Sequence, residues 1–359
     1  MTRPLRVGLI GAGGNTRARH VPGLRAVAGV ELVAVCNRRR ESTAAAAAEF
    51  GIPRTFDRWE DLVADPEIDA VVVGTWPYLH AAVTAAALAA GKHVLTEARL
   101  SRDAAEARQM LQATRDHPDL VAQVVPSPYG MKCGAVVREL LAEGYVGELR
   151  EAQIVGRSGA LADPAAPLSW RQDQMLSGFN MLTLGILHET LLRWLPQPEC
   201  VLARAYAFIA ERIDPASGAR RPVGTPDSVQ VIATLPDGAA SIYQLSGVTP
   251  FGQGFSIAFY GSNGVLHYDL DADRLRGASR RTGASSARAD ELAEIAVPPE
   301  KAGSWQVESD WVRSIREGTP VQLTDFATGV AYMEFTEAVA RSARTGIAVR
   351  LPLVESGGR

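Results

Sequence analysis

Gly11 and Gly13 end an apolar run, Val7 to Ile10, and open the sequence Gly11-Ala12-Gly13-Gly14-Asn15-Thr16. Glycines at this spacing let a backbone turn tightly and approach a pyrophosphate, whose charge then meets the N–H groups at the start of a helix. The third glycine of the dinucleotide fingerprint is replaced by Thr16, and Asn15 or Thr16 offers a side chain that can hydrogen-bond a phosphate. A second apolar run, Leu32 to Cys36, stops at Asn37-Arg38-Arg39. An NAD site usually places a carboxylate there for the ribose 2′-OH. Asparagine removes that charge and guanidinium groups bind phosphate well, so Asn37, Arg38 and Arg39 predict NADP in preference to NAD. The plainer alternatives are an ordinary strand–helix turn and arginines that merely begin a surface helix.

The elements around these residues alternate. Apolar strand runs at Val7 to Ile10, Leu32 to Cys36, Ala70 to Val73, His93 to Leu95 and Val121 to Val125 are separated by helical stretches. The first of these is expected at Arg17 to Val27, and Ala81 to Ala90 is closed by Gly91. This order predicts an α/β fold with a doubly wound parallel sheet over residues 1–125. The pattern changes after Pro126. Strand-like runs from Leu149 to Asp269 alternate in polarity between turns such as Pro236-Asp237-Gly238. They predict a second α/β domain, residues 126–359, whose largely antiparallel sheet leaves one face for helices or a partner subunit. Residues 271–303 are polar and read as a long surface excursion. Helices are expected at Trp305 to Glu317 and Phe326 to Thr345.

Bulk properties exclude several classes. The chain has 359 residues, 47% hydrophobic and 21% charged, which allows two domains with sizeable cores. A net charge of −3 shows no bias toward nucleic acid or a membrane surface. Cys36, Cys133 and Cys200 have neither metal-site nor disulfide spacing. With no apolar leader before the first glycines, a cytoplasmic location is expected.

Several further segments are specific in combination: Thr75-Trp76-Pro77-Tyr78-Leu79-His80, Gly91-Lys92-His93-Val94-Leu95-Thr96-Glu97, Gly144-Tyr145-Val146-Gly147-Glu148, and Ser342-Ala343-Arg344-Thr345-Gly346. With Trp170-Arg171 and Leu191-Leu192-Arg193-Trp194, they resemble the glucose–fructose oxidoreductase and inositol dehydrogenase (Gfo/Idh/MocA) family nearly end to end. The resemblance implies a Rossmann domain followed by an open-sheet α/β domain. It implies hydride transfer at a secondary alcohol of a sugar or cyclitol, with the nicotinamide between the domains. It also implies a homodimer or homotetramer, Thr75 and His80 near the cofactor, and Glu97 at the nicotinamide ribose.

The family's catalytic pattern is altered. Its Glu-Lys-Pro segment is here Glu97-Ala98-Arg99, and a guanidinium cannot serve as a base, although Arg99 could donate hydrogen bonds to a substrate oxygen. The family's helical Asp, His and final Asp correspond to Thr183, Leu187 and Thr190. His188 stands one residue late, about 100° around a helix. Alcohol oxidation needs a hydride acceptor, an oriented C–H and a base. His188 and Tyr129 are the candidates for the proton, and Arg171 for gripping substrate; each has a packing or ion-pair alternative. Three functions therefore stand. One is an NADP-dependent oxidoreductase on a sugar, cyclitol or related compound. Another is a redox-neutral lyase, epimerase or glycosidase using a transiently reduced nicotinamide. The third is a non-catalytic NADP-binding protein.

Overall fold

A computed structural model of the chain describes residues 3–283 and 291–354. In chain order the first elements are β1 (Leu5–Ile10), α1 (Val21–Arg25), β2 (Val30–Cys36), α2 (Arg40–Glu49), β3 (Arg54–Thr55), α3 (Trp59–Ala64), β4 (Ala70–Val73), α4 (Pro77–Ala89), β5 (His93–Thr96), α5 (Ala104–Asp116) and β6 (Ala122–Val124). Then come α6 (Gly134–Ala142), β7 (Leu149–Arg157), α7 (Gln174–Ser177), α8 (Leu184–Leu192), β8 (Cys200–Tyr206), β9 (Glu211–Ile213), β10 (Arg220–Pro222), β11 (Ser228–Thr234) and β12 (Ala240–Ser246). The last are β13 (Gly254–Gly261), β14 (Gly264–Asp269), β15 (Arg274–Ser279), β16 (Ala293–Glu294), α9 (Val307–Glu317), α10 (Phe326–Thr345) and β17 (Val349–Arg350).

The chain divides into two compact units. The first comprises 1–126, 175–178 and 306–333; the second comprises the rest. The sequence suggested one cut near residue 125. The structure also returns 306–333 to the first unit, because α9 and the start of α10 hydrogen-bond to it. Val124 N–H donates to Thr324 O at 3.1 Å, and Arg316 reaches the carbonyls of Ala28 and Gly29.

The first unit holds a six-stranded parallel sheet in the order β3-β2-β1-β4-β5-β6. Its centre is almost wholly apolar: Val7, Leu9 and Val71 to Val73 are completely buried, as expected for strands covered on both faces. Strand order reverses between β1 and β4. The carboxyl ends there form the crevice where open α/β sheets bind ligands.

The second unit holds a nine-stranded sheet, β16-β15-β14-β13-β7-β12-β11-β8-β17. Every pairing is antiparallel except β7 with β12. Strand β15 falls in the stretch expected to be a surface excursion. Its alternating Leu275, Gly277 and Ser279 are buried, so it extends the sheet. The rest of that stretch includes 284–290, which lie outside the described residues. One sheet face is open: Leu202 and Ile232 are cross-strand partners, exposed at 46% and 56%.

Tyr332, from the returning segment, accepts the Leu100 N–H at 2.5 Å where both residues are buried. Replacing Tyr332 with Phe leaves that N–H without this acceptor. The expected result is a loss of about 1–3 kcal/mol in a denaturant titration. An unchanged midpoint would show that α10 does not brace the loop after β5.

Candidate functional site

Gly11 has φ of 91°, and a Cβ there would lie 2.6 Å from the Gly74 carbonyl carbon. The turns after β1 and β4 thus meet backbone against backbone, which only glycine permits. A Cβ at Gly74 would in turn lie 2.2 Å from Thr16 Oγ1. Thr16 is buried and donates to Gly11 O at 2.9 Å, so its hydroxyl closes the turn instead of facing a phosphate. Gly13 and Gly14 are exposed, and a Cβ on Gly14 would meet nothing within 4 Å. The chain then winds through one π turn, Thr16–His20, before α1. The expected continuous helix from Arg17 to Val27 is interrupted in this way. Pro22 has no N–H to continue a regular ladder, and π turns recur at functional sites.

Asn37 braces the glycine turn. Its Oδ1 accepts from Ala12 N–H at 2.7 Å and its Nδ2 donates to Ser42 O at 2.8 Å. Arg38 and Arg39 are exposed, and the Arg38 guanidinium lies 5.9 Å from the centre of the Trp76 ring. Thr75 adjoins the Gly11–Gly74 contact. His80 is fully buried: Nε2 lies 3.0 Å from Thr75 O, and Nδ1 lies 3.1 Å from both Arg99 O and Leu100 O. Burial pulls its pKa below the ordinary value, against the pull of those carbonyls. With no exposed surface, it holds two loops together and acts on a ligand only through them. Arg99, joined to Ala98 by a cis peptide, is 8% exposed, which leaves its guanidinium little surface for a substrate.

Glu97 ends β5 beside this turn. Its Oε1 accepts from Asn15 Nδ2 and lies 3.0 Å from His20 Nε2. The other nitrogen, Nδ1, lies 2.6 Å from Glu308 Oε1. Ionised carboxylates only accept hydrogen bonds, so a ring bridging two of them carries both protons. Burial opposes that charge, but the bonds to Glu308 and Glu97 outweigh it and raise the His20 pKa to about 9. Burial would raise Glu97, and His20 overcomes it, holding the carboxyl below its ordinary range. The role of His20 was not legible in the sequence, since its partner Glu308 is 288 residues away. The visible signal was a histidine one helical turn beyond a glycine turn.

In the second unit, His188 is a core residue and does not have the surroundings of a base. It is fully buried, stacked on Phe335 with centres 3.6 Å apart. Nδ1 pairs with the Tyr243 hydroxyl at 2.7 Å and Nε2 with Gln197 Oε1 at 2.8 Å. Burial pushes its pKa down to about 3. Leu187 and Thr190 are buried too; Thr190 Oγ1 donates to Ser127 Oγ at 2.8 Å. Tyr129 is half-buried and stacks on Phe255, and burial raises its pKa, so the phenol keeps its proton. Its loop is clamped by Arg193, which donates to Tyr129 O at 2.9 Å and Ser127 O at 2.8 Å while paired with Glu189. This clamp had no sequence signal beyond the Arg193-Trp194 pair. Arg171 is exposed and lies over the Trp170 ring at 4.3 Å.

The sheet order and the glycine turn at its switch point define an α/β fold of the dinucleotide-binding class. Residues 5–124 match the oxidoreductase family with an NAD-binding Rossmann fold, and 135–267 match the GFO/IDH/MocA C-terminal domain. The chain belongs to the Gfo/Idh/MocA oxidoreductase family. Among its relatives, an uncharacterised oxidoreductase of Synechocystis sp. is 27% identical over 279 residues, 76% of this chain and 73% of that one. The 1,5-anhydro-D-fructose reductase of Ensifer adhaerens is 33% identical over 51% of this chain and 54% of its own. An oxidoreductase domain protein from Kribbella flavida superposes with a TM-score of 0.84 at 25% identity, covering 98% of this chain and all of that one. Levoglucosan dehydrogenase, solved with NADH and L-sorbose, has the same fold: TM-score 0.84, 24% identity, 98% and 100% coverage.

The His188 environment has a measurable consequence. Folded His188 stays neutral down to about pH 3, whereas the unfolded chain takes up this proton near 6.5. Between those values the unfolded state binds the extra proton, so stability rises with pH. The contribution is complete above about 6.5 and is lost as pH falls toward 3, by up to about 1.4 kcal/mol per unit. Urea midpoints measured at about pH 7 and about pH 5 are expected to differ less in His188→Leu than in the parent protein. Equal differences would mean that His188 ionises freely in the fold.

Proposed function

We propose that the protein is an NADP-dependent oxidoreductase acting by hydride transfer on a secondary alcohol, or its carbonyl counterpart, of a sugar or cyclitol. The observation that carries the cofactor preference is the end of β2. No carboxylate stands there, Asn37 is engaged at both ends of its side chain, and Arg38 is exposed over Trp76. A 2′-phosphate there meets the cations of Arg38 and Arg39, and the residue after β2 carries no charge to repel it. The open, exposed Gly13-Gly14 turn fits the pyrophosphate. The nicotinamide ring, when bound, supplies or accepts the hydride. The sugar class is supported by relatives that are named as a levoglucosan dehydrogenase and a 1,5-anhydro-D-fructose reductase.

The residues divide the remaining work. Gly11, Gly13 and Asn15 shape the phosphate turn, Thr16 and His80 hold it from beneath, and Thr75 with Glu97 lines its edge. Tyr129 is the proton donor in this reading. A phenol that keeps its proton suits carbonyl reduction better than alcohol oxidation. Arg171 grips a substrate oxygen, and Arg39 adds charge beside Arg38.

The test is a titration of nucleotide-stripped protein with NADPH and NADH, following nicotinamide fluorescence. NADPH is expected to bind at least about tenfold more tightly, and Arg38→Ala to remove most of that difference. Tyr129→Phe is expected to lower turnover of a ketose or polyol while leaving nucleotide affinity intact. Equal affinity for both nucleotides refutes the cofactor preference. Sugar turnover with no net change in NADPH would move the reading to a redox-neutral reaction on the same site.

The open sheet face of the second unit supports a homodimer or homotetramer, because Leu202 and Ile232 form an apolar patch that a second copy covers. Ile232→Glu is expected to lower the mass measured by light scattering without loss of secondary structure. A monomeric parent protein would refute this.

A further inference from the structure

The Glu97–His20–Glu308 arrangement contains more than a cofactor contact needs. Glu308 is on the first turn of α9, where a carboxylate is favoured by the helix N-terminus. Room for it exists because residue 23 is glycine: a Cβ there would lie 2.6 Å from Glu308 Oε2. His20 is the last residue of the π turn that follows the nucleotide loop. Three segments distant in sequence therefore converge on one imidazole. Among the described residues, the hydrogen bonds to the Glu97 side chain both end on Oε1.

We propose that His20 is a positioning residue for nucleotide recognition: anchored by Glu308 through Nδ1 and gripping Glu97 Oε1 through Nε2, it leaves Glu97 Oε2 as the acceptor for a ribose hydroxyl. The inference rests on the first unit binding a nicotinamide dinucleotide. An ionised carboxylate oxygen only accepts hydrogen bonds, so Oε2 takes a hydroxyl donor. The carboxylate is fixed in orientation before the ligand arrives, which lowers the cost of ordering it on binding. Among the described residues, the side chains facing His20 include Glu97 after β5, Glu308 on α9 and Asn15 on the preceding turn.

The two amide substitutions separate the halves of the grip. In His20→Gln the amide nitrogen stands near the former Nε2 and keeps the donor to Glu97. In His20→Asn it stands near Nδ1 and loses that donor. Fluorescence titration with NADPH is expected to show a Kd raised about tenfold or more in His20→Asn and less than about threefold in His20→Gln. In the parent protein, affinity is expected to fall as pH rises through about 9, because neutral His20 can donate to only one carboxylate. That alkaline limb is absent in His20→Gln. Gly23→Ala, which displaces Glu308 without touching Glu97, moves the limb to lower pH, and it serves where a His20 variant fails to fold. Equal Kd values for the two amides, or an alkaline limb retained in His20→Gln, overturn the positioning role. If the parent binds neither NADPH nor NADH, the proposed function falls with it. If the parent binds and the variants do not separate, this inference alone falls.

Discussion

Gly11 and Gly74 touch through their backbones, and the ligand-facing side of the first unit is arranged around that contact. With either residue enlarged by one carbon, the turns after β1 and β4 could not close to their observed spacing. Each neighbouring feature follows from the closed turn. Thr16 can reach Gly11 O because the chain folds back at once. Ala12 N–H is turned toward the end of β2, where Asn37 accepts it. Thr75 is brought alongside, and its carbonyl becomes a partner for buried His80, which ties it to the loop after β5. A local steric fact therefore links the ends of β1, β2, β4 and β5, the strands that border the switch point.

This dependence explains what was legible in the sequence. The central strands of both sheets were readable because their burial demands set a pattern, with continuous apolar runs in β1 and β4 and alternation in β8 and β11, whereas the edge strands β3, β16 and β17 and the strand β15 were not. The glycine turn was readable because glycine is required there. The return of 306–333 to the first unit was not readable, since an amphipathic helix such as α9 gives the same pattern whichever core it joins. Nor was the hairpin of β9 and β10, whose short strands are mostly exposed. The role of His20 was hidden for a related reason: its chemistry comes from Glu97 and Glu308, which only the fold brings near.

His20 and His188 show how much a buried imidazole owes to its partners. Both are fully buried, and burial alone would keep each neutral. His20 faces carboxylates through both nitrogens and is charged. His188 faces a phenol and an amide and is neutral. A residue type that fits the pKa of a catalytic base is therefore a poor guide without its neighbours. Leu187 and His188 are adjacent in α8, and both are buried. One residue along a helix turns a side chain by about 100°, so His188 could face the direction of Leu187 only if the helix rotated. Rotation would pull His188 from Tyr243, Gln197 and Phe335 and expose apolar neighbours. Thr183, Leu187 and Thr190, on the same stretch of chain, carry no ionisable group. Near that helix, by contrast, Arg193 and Glu189 hold the carbonyls and amide of the Tyr129 loop through direct hydrogen bonds, so its backbone conformation is set by side chains of α8 and its end.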